Sequence, residues 1–193
     1  MIVQNNSNNL AFKARFLQNI PVLKFNYKTK NYDKVLSSFV EFDPKNIDDA
    51  KALSEVVNYW ENDKYACCIL NGFEYCTKNL DKCEKYKIFA LTSQKNNYDK
   101  LISDELLGLA QMDIEDGQTH YLSYLQVKPA YIEQYNILGN RIYKGIGSGI
   151  LSALKKIYNS ISLRASNSGL DSFYKKNNFD LMSKSERKYL WKE

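Results

Sequence analysis

Three glycines stand at alternating positions in YKGIGSGIL, residues 143–151, directly before an apolar run typical of a helix. Glycine lowers helix stability by roughly 1 kcal/mol against alanine, so this spacing suggests a gain of another kind. Bare backbone N–H groups at a helix N-terminus let an anion approach closely. Arg141 and Lys144 add positive charge beside them. The stretch therefore predicts a pyrophosphate-binding loop, and a flexible turn with Ser148 as the helix N-cap is the alternative.

Other glycine-rich phosphate sites fit the sequence less well. The chain contains no G-x-x-x-x-G-K-[ST] pattern, which a P-loop requires. A dinucleotide-binding fingerprint needs a third glycine where Ile150 stands, a strand directly before it and an acidic residue ending the next strand. Here the loop-like ILGNRIYK precedes the glycines, and Asp171 lies inside a helical pattern. A strand followed by a basic G-x-G loop and an amphipathic helix fits best.

A second motif, NSGLDSFYKKNNF at residues 167–179, follows the segment LQVKP…RIYKGIGSGIL of residues 125–151. In these two motifs, and in the order of strands and helices from about residue 35, the sequence resembles the GNAT superfamily of acyl-CoA-dependent N-acyltransferases. The second motif resembles that family's N-x-x-x-x-x-F-Y-x-K-x-G-F segment. The matching positions are Asn167, Phe173, Tyr174, Lys176 and Phe179.

The resemblance implies a mixed α/β (α+β) fold, with a mostly antiparallel central sheet flanked by helices and a V-shaped split between two parallel strands. Those strands would hold residues 125–127 and 161–165. Acetyl-CoA, the acyl donor, would lie in the split, and no metal is implied. Tyr174 would be the catalytic general acid that protonates the departing CoA thiolate. The residues implied to bind acetyl-CoA are Leu125, Val127, Lys144, Gly145, Ile146, Gly147, Ser148, Gly149, Asn167 and Lys176.

The sequence departs from the family pattern at several positions. Ile142 stands where the family's loop begins with Gln or Arg, and Arg141 lies one residue earlier. Asn178 replaces the final glycine, a mild change because asparagine tolerates a left-handed C-cap. The connection over residues 130–140 is longer than usual and would border the acceptor's entry.

The general base is left open by the sequence. Many family members place a glutamate where this chain has Ser123, beside Tyr124, and neither side chain is a good base at neutral pH. A water relay from a nearby residue is the alternative. The candidates for it are Glu115, His120 and Glu133.

Length and composition predict one soluble domain in the cytoplasm. The chain has 193 residues, 44% hydrophobic and 25% charged, with no long apolar run and no secretory signal at its start. The net charge of +5 comes from scattered lysines, which indicates a solvated surface more than a nucleic-acid site. Four cysteines without a C-x-x-C pair are expected to be reduced thiols, with Cys68 and Cys76 on one buried helix face.

Residues 1–30 are expected to form an N-terminal extension that packs on a single domain over residues 31–193. Asp116-Gly117 is typical of a hairpin turn. Within the domain, apolar periodicity predicts helices over 46–60, over 63–79 (ending near Gly72 or later), after the glycines and within 167–179. It predicts strands over 35–42, 85–93, 105–115, 120–127 and 161–165, and a final pair of strands near 181–183 and 187–192.

The sequence motifs favour the first of three alternative functions. The first is an acetyl-CoA-dependent N-acetyltransferase acting on a primary amine of a small molecule, a protein or, in a toxin, an aminoacyl-tRNA. The second is a non-catalytic acyl-CoA-binding regulatory module, favoured by Ile142 and by the missing strand glutamate. The third, a nucleic-acid-binding protein, would need a clustered basic face, which the sequence does not display. Membrane partners are not expected, and a homodimer is an expectation from the family alone.

Overall fold

The structure is a computed structural model that describes residues 14–43, 46–60, 63–79, 86–98, 100–114, 120–132 and 141–193. No helix in these ranges is both long and apolar enough to cross a membrane. The strands are β1 Arg15–Asn26, β2 Asn31–Glu41, β3 Tyr86–Thr92, β4 Leu106–Ile114, β5 His120–Val127, β6 Tyr143–Lys144, β7 Ser160–Arg164, β8 Asp180–Ser183 and β9 Lys188–Lys192. The α-helices are α1 Ile47–Tyr59, α2 Lys64–Lys78, α3 Ile146–Lys155 and α4 Asp171–Lys176.

The described strands form one mixed sheet, in the order β6-β1-β2-β3-β4-β5-β7-β9-β8. Neighbouring strands are antiparallel except β5 and β7, which are parallel. Apolar side chains of α1 and α2 pack on one face of the sheet, and those of α3 and α4 pack on the other. The predicted fold class, a mostly antiparallel sheet with one parallel pair between helical layers, is confirmed.

The N-terminal part of the chain contributes a strand to this sheet. Residues 15–26, which the sequence placed in an extension, form β1 and pair with β2 from Arg15↔Glu41 to Asn26↔Asn31. The predicted first strand over 35–42 is therefore the second, and it begins at Asn31. Residues 1–13 lie outside the described residues, so the domain division at residue 30 stays a prediction.

The two N-terminal helices begin at side-chain caps. The Asn46 carboxamide oxygen accepts the N–H of Asp48, and Asp63 accepts the N–H groups of Tyr65 and Ala66, each at 3.0 Å. Such caps satisfy amides that have no partner inside the helix. Both helices match their predicted bounds closely, and α2 continues through Gly72 because its apolar face goes on to Cys76.

The C-terminal motif also folds as predicted. The short helix α4 is followed by Asn178, whose φ of 58° is left-handed. This confirms that asparagine replaces glycine at a C-cap that needs this conformation. The thiol of Cys76 is buried, Cys68 is half-buried, and both are free thiols. The predicted turn at Asp116-Gly117 and the thiol of Cys83 lie outside the described residues.

Candidate functional site

The parallel strands β5 and β7 diverge and open a cleft in the sheet. They pair only from His120↔Ile161 to Leu122↔Leu163, although β5 continues to Val127. A cleft of about 790 Å³ begins there, and its size suits a large ligand. Its walls come from both faces of the sheet. The residues that line it include Asp63, Tyr65, Leu122–Val127, Arg141, Tyr143–Ser148, Arg164, Asn167, Phe173 and Tyr174.

The free edge of β5 points backbone groups into the cleft. The N–H of Lys128 donates to the carbonyl of Leu107, on the side of β4. Because backbone groups alternate sides along a strand, those of Leu125 and Val127 face the opposite side, toward the split. The Gln126 side chain donates to the Val127 carbonyl at 3.0 Å. The N–H of Val127 and the polar groups of Leu125 therefore meet whatever enters the cleft.

The N-terminus of α3 forms another wall. Gly145 is the N-cap residue, with a left-handed φ of 80° that favours glycine. The next three residues, Ile146, Gly147 and Ser148, are the first of the helix, where N–H groups have no acceptor within it. The interpretation of Ser148 as the N-cap is therefore wrong. A Cβ on Gly147 would lie 3.1 Å from the Phe173 ring across the cleft. The absence of a side chain at Gly147 therefore keeps the cleft open between α3 and Phe173.

Positive charge accompanies the helix N-terminus. Lys144 lines the cleft, and its ammonium lies 4.0 Å from the centroid of the Tyr32 ring. The Tyr32 hydroxyl donates to the Arg141 carbonyl at 2.6 Å, which ties this loop to β2. Amides, helix dipole and cations thus point to the same end of the cleft, an arrangement that attracts an anion.

Two predicted binding residues lie outside the cleft. The N–H of Gly149 donates to the Gly145 carbonyl at 2.8 Å, so it does not reach a phosphate. A Cβ there would lie 2.7 Å from Ile20, so this glycine lets α3 pack against β1. Lys176 is exposed on α4 and does not line the cleft. The other predicted residues do line it.

Tyr174 projects from α4 into a tyrosine-rich part of the cleft. The side chain is 7% exposed and packs against Phe173, Phe179 and Tyr189. Burial, reinforced by neighbouring tyrosines, raises the pKa of Tyr174 to about 12. The phenol therefore stays protonated at neutral pH, the form that a general acid requires. Asn167 lies before this helix and also lines the cleft.

The structure shows a polar pair that the sequence did not reveal. Residue Ser123 is the extra residue of a β-bulge, because Tyr124 pairs with Gln111 and Leu122 with Met112. Ser123 lines the cleft, and its hydroxyl donates to the carboxylate of Asp113 on β4. In the sequence, the only indication of this pair was a serine, Ser123, at the position where the family has a glutamate. Its partner, ten residues earlier, follows from the strand register.

The histidine that the sequence suggests as a proton acceptor lies outside the cleft. The ring of His120 packs against that of Tyr158, with 4.3 Å between centroids and 38° between the planes. It lies at the paired end of β5 and does not line the cleft. Glu115 and Glu133 lie outside the described residues. Of the two strand residues considered, Ser123 contacts a carboxylate, and the Tyr124 hydroxyl is hydrogen-bonded with the Cys68 thiol, which raises the pKa of Tyr124.

The fold of this chain recurs in solved structures. One is a structure from Exiguobacterium sp. 255-15 that is assigned as an acetyltransferase. The two sequences are 14% identical, the alignment covers 81% of this chain and 93% of the other, and the TM-score is 0.50. Another, from Desulfovibrio desulfuricans, is assigned to the GNAT family and is 13% identical, with 81% and 98% covered and a TM-score of 0.51. The chain has the GNAT acetyltransferase fold.

The GNAT fold confirms the resemblance at the level of architecture. No protein-family model matches the chain, and no curated protein matches its sequence. At such low identity a shared fold does not carry an activity or an acceptor.

Proposed function

We propose that this chain is an acetyl-CoA-dependent N-acetyltransferase. The observation that carries the proposal is the meeting of three features in one cleft. The free edge of β5 presents the backbone of Leu125 and Val127, the N-terminus of α3 presents the amides of Ile146 to Ser148, and Tyr174 faces them from α4. Each feature serves a different part of a thioester donor.

The anion-attracting end suits the pyrophosphate of CoA. The amides of Ile146, Gly147 and Ser148 would take its oxygens, while Lys144 would add charge. A Cβ at Gly147 would fill this passage, which is the observation that tests the fit. Asn167 and the edge of β5 would hold the pantetheine arm by hydrogen bonds. Gly149 and Lys176 lie outside the cleft and would not contact the donor.

Acetyl-CoA supplies an activated acyl group, which the chain must orient toward a neutral amine. The N–H of Val127 faces the split and would polarise the thioester carbonyl. Tyr174, kept protonated by burial, would give its proton to the departing thiolate. Positioning within the cleft would supply much of the remaining rate, because both reactants are held together.

A non-catalytic acyl-CoA-binding module is the second candidate. The observation that favours it is Ser123 at the strand position where a glutamate was expected, since a hydroxyl alone is a poor base. Such a module would bind acetyl-CoA at the same residues and show no turnover. Transfer of the acetyl group to any amine separates the two candidates.

Isothermal titration with acetyl-CoA tests the proposed cleft. We expect micromolar binding by the intact protein and loss of measurable binding by Gly147→Val, because the added side chain meets Phe173. Ser152→Val is the matched control, since it places the same side chain on the exposed face of the same helix. The control should bind as the wild type does.

Two results would contradict the proposal. If the intact protein does not bind acetyl-CoA, the fold serves another purpose here. If Gly147→Val binds as tightly as Ser152→Val, the cleft beside α3 is not the binding site. Thermal unfolding of both variants shows whether a loss of binding comes from a loss of structure.

A further inference from the structure

A polar network of Gln111, Asp113 and Ser123 lies beside the part of the cleft where the acceptor amine would react. The hydroxyl of Ser123 donates to one carboxylate oxygen of Asp113, and the Gln111 side chain donates to the other at 2.9 Å. Gln111 is buried, and Asp113 is half-buried. Asp113 does not line the cleft, but Ser123 does. The carboxylate therefore reaches the cleft only through the serine hydroxyl.

The bulge in β5 makes this contact possible. In a regular antiparallel pair, Gln111 would lie opposite residue 123, but here it lies opposite Tyr124. Residue Ser123 is left without a cross-strand partner, and its side chain turns to Asp113, which lies opposite Tyr121. Bulges commonly re-aim a side chain beside an active site. Tyr124, beside the bulge, interacts electrostatically with Asp113, with Tyr121 on β5 and with Cys68 on α2.

We propose that Ser123 accepts a proton from the acceptor amine while Asp113 takes up the proton of the serine hydroxyl. This inference rests on the proposed acetyltransferase function. Ser123 is the catalytic residue, because it touches the amine. Asp113 is the positioning residue behind it, held in turn by Gln111. The pair supplies the general base that a lone serine at this strand position cannot.

The protons balance over one turnover. The acceptor enters as an ammonium ion and loses one proton through Ser123 to Asp113, which later releases it to solvent. The neutral nitrogen then forms a bond with the thioester carbon, and the carbon–sulfur bond breaks. Tyr174 gives its proton to sulfur, and the second proton lost by nitrogen returns through solvent to Tyr174. One amide, one thiol and one free proton result.

Two probe amines of different basicity test the pair. Propylamine is protonated at pH 7, as a lysine side chain is, so it needs a base before it attacks. Hydroxylamine is largely neutral at that pH and needs little help. Acetyl transfer to each is measured with Asp113→Asn and Ser123→Ala, after subtraction of the reaction without enzyme. General acid–base catalysis contributes roughly 100-fold or more, so we expect about that loss with propylamine and little loss with hydroxylamine.

Matched variants separate this role from structural damage. Ser123→Thr keeps the hydroxyl and should retain transfer to propylamine. Asp180→Asn removes an exposed carboxylate on β8 and should leave both rates unchanged. If Asp113→Asn folds poorly, Ser123→Ala alone decides, since it removes one atom from the edge of the cleft.

The results that overturn the inference differ from those that overturn the function. Equal losses with both amines mean that the pair only supports the strands, and unchanged rates mean that it has no role. A wild-type protein that binds acetyl-CoA and transfers to neither amine also ends the inference, while acetyl-CoA binding stands. Failure to bind acetyl-CoA at all removes the proposed function itself.

Discussion

The ammonium of Lys128 lies 2.9 Å from the carboxylate of Asp104, although one side chain is buried and the other is in water. The Lys128 side chain is 8% exposed and that of Asp104 is 65% exposed. The ammonium also lies over the rings of Tyr59 and Tyr131. This contact ties the residue directly after β5 to the segment before β4.

The unequal burial predicts unequal mutational effects. Asp104→Asn leaves a buried cation without its ion pair, which we expect to lower the free energy of unfolding by about 1–2 kcal/mol. Lys128→Met keeps the buried stem and leaves only an exposed carboxylate, so its cost should stay below about 1 kcal/mol. Urea unfolding of both variants measures the order. A larger cost for Lys128→Met would mean that the ring contacts outweigh the ion pair.

Asp49 predicts a pH dependence of stability. It is fully buried, where its carboxylate oxygens accept the N–H of Asp43 at 2.8 Å and the side chain of Asn46 at 2.9 Å. Desolvation raises the pKa of Asp49 from 3.8 to about 7. Between these values the folded state binds more protons than the unfolded state, so the free energy of unfolding falls as the pH rises.

Asp49→Asn should remove this dependence. Relative to wild type, the variant should gain stability between about pH 4 and pH 7, by as much as about 4 kcal/mol. Urea unfolding at several pH values measures the difference. Asp180→Asn, which removes an exposed carboxylate on β8, is the control and should follow the wild-type curve. A constant offset between Asp49→Asn and wild type would show that the buried carboxyl does not titrate in this range.

The sequence predicted the elements whose periodicity or caps are local. Helix α3 follows from its apolar repeat, and the left-handed Asn178 follows from its place after a short helix. Strand β1 was missed because the asparagine- and lysine-rich composition of residues 1–30 suggested a partly ordered extension. In the structure β6 pairs with β1 only at Leu23 and Lys24, so Pro21 needs no N–H on that side.

The site was predicted only in part, because its remainder depends on register and packing. Spacing cannot tell that Gly149 faces Ile20 while Gly147 faces Phe173, since this depends on where the helix begins. The pairing of Ser123 with Asp113 depends on one extra residue in β5. Such long-range facts follow from the assembled sheet.

Substitution of Gly145 should lower stability through backbone strain alone, without a steric clash. A Cβ at this position would meet nothing within 4 Å, but the φ of 80° disfavours other residues. Gly145→Ala should therefore cost about 1 kcal/mol of unfolding free energy and weaken acetyl-CoA binding as the amides shift. Asparagine tolerates this conformation better, so Gly145→Asn should cost less in both measurements. Equal costs for the two variants would mean that the left-handed backbone at this position does not set the cost.

Tyr174→Phe should separate chemistry from binding. The variant loses the proton donor but keeps the ring that packs on Phe179 and Tyr189, so kcat should fall by about 100-fold or more while acetyl-CoA affinity holds. Because burial raises the pKa of Tyr174 to about 12, the loss should be constant between about pH 6 and pH 9. Transfer to hydroxylamine and titration with acetyl-CoA measure the two quantities.

The control for Tyr174→Phe is Tyr158→Phe, the same change at a buried tyrosine that does not line the cleft. Burial raises the pKa of Tyr158 to about 12 as well, so the two phenols differ chiefly in position. Unchanged kcat in Tyr158→Phe and a low kcat in Tyr174→Phe would assign the proton donor. If acetyl-CoA affinity falls together with kcat in Tyr174→Phe, the hydroxyl holds the donor in place. Unchanged kcat in Tyr174→Phe would instead require that the thiolate leaves unprotonated or takes its proton from water.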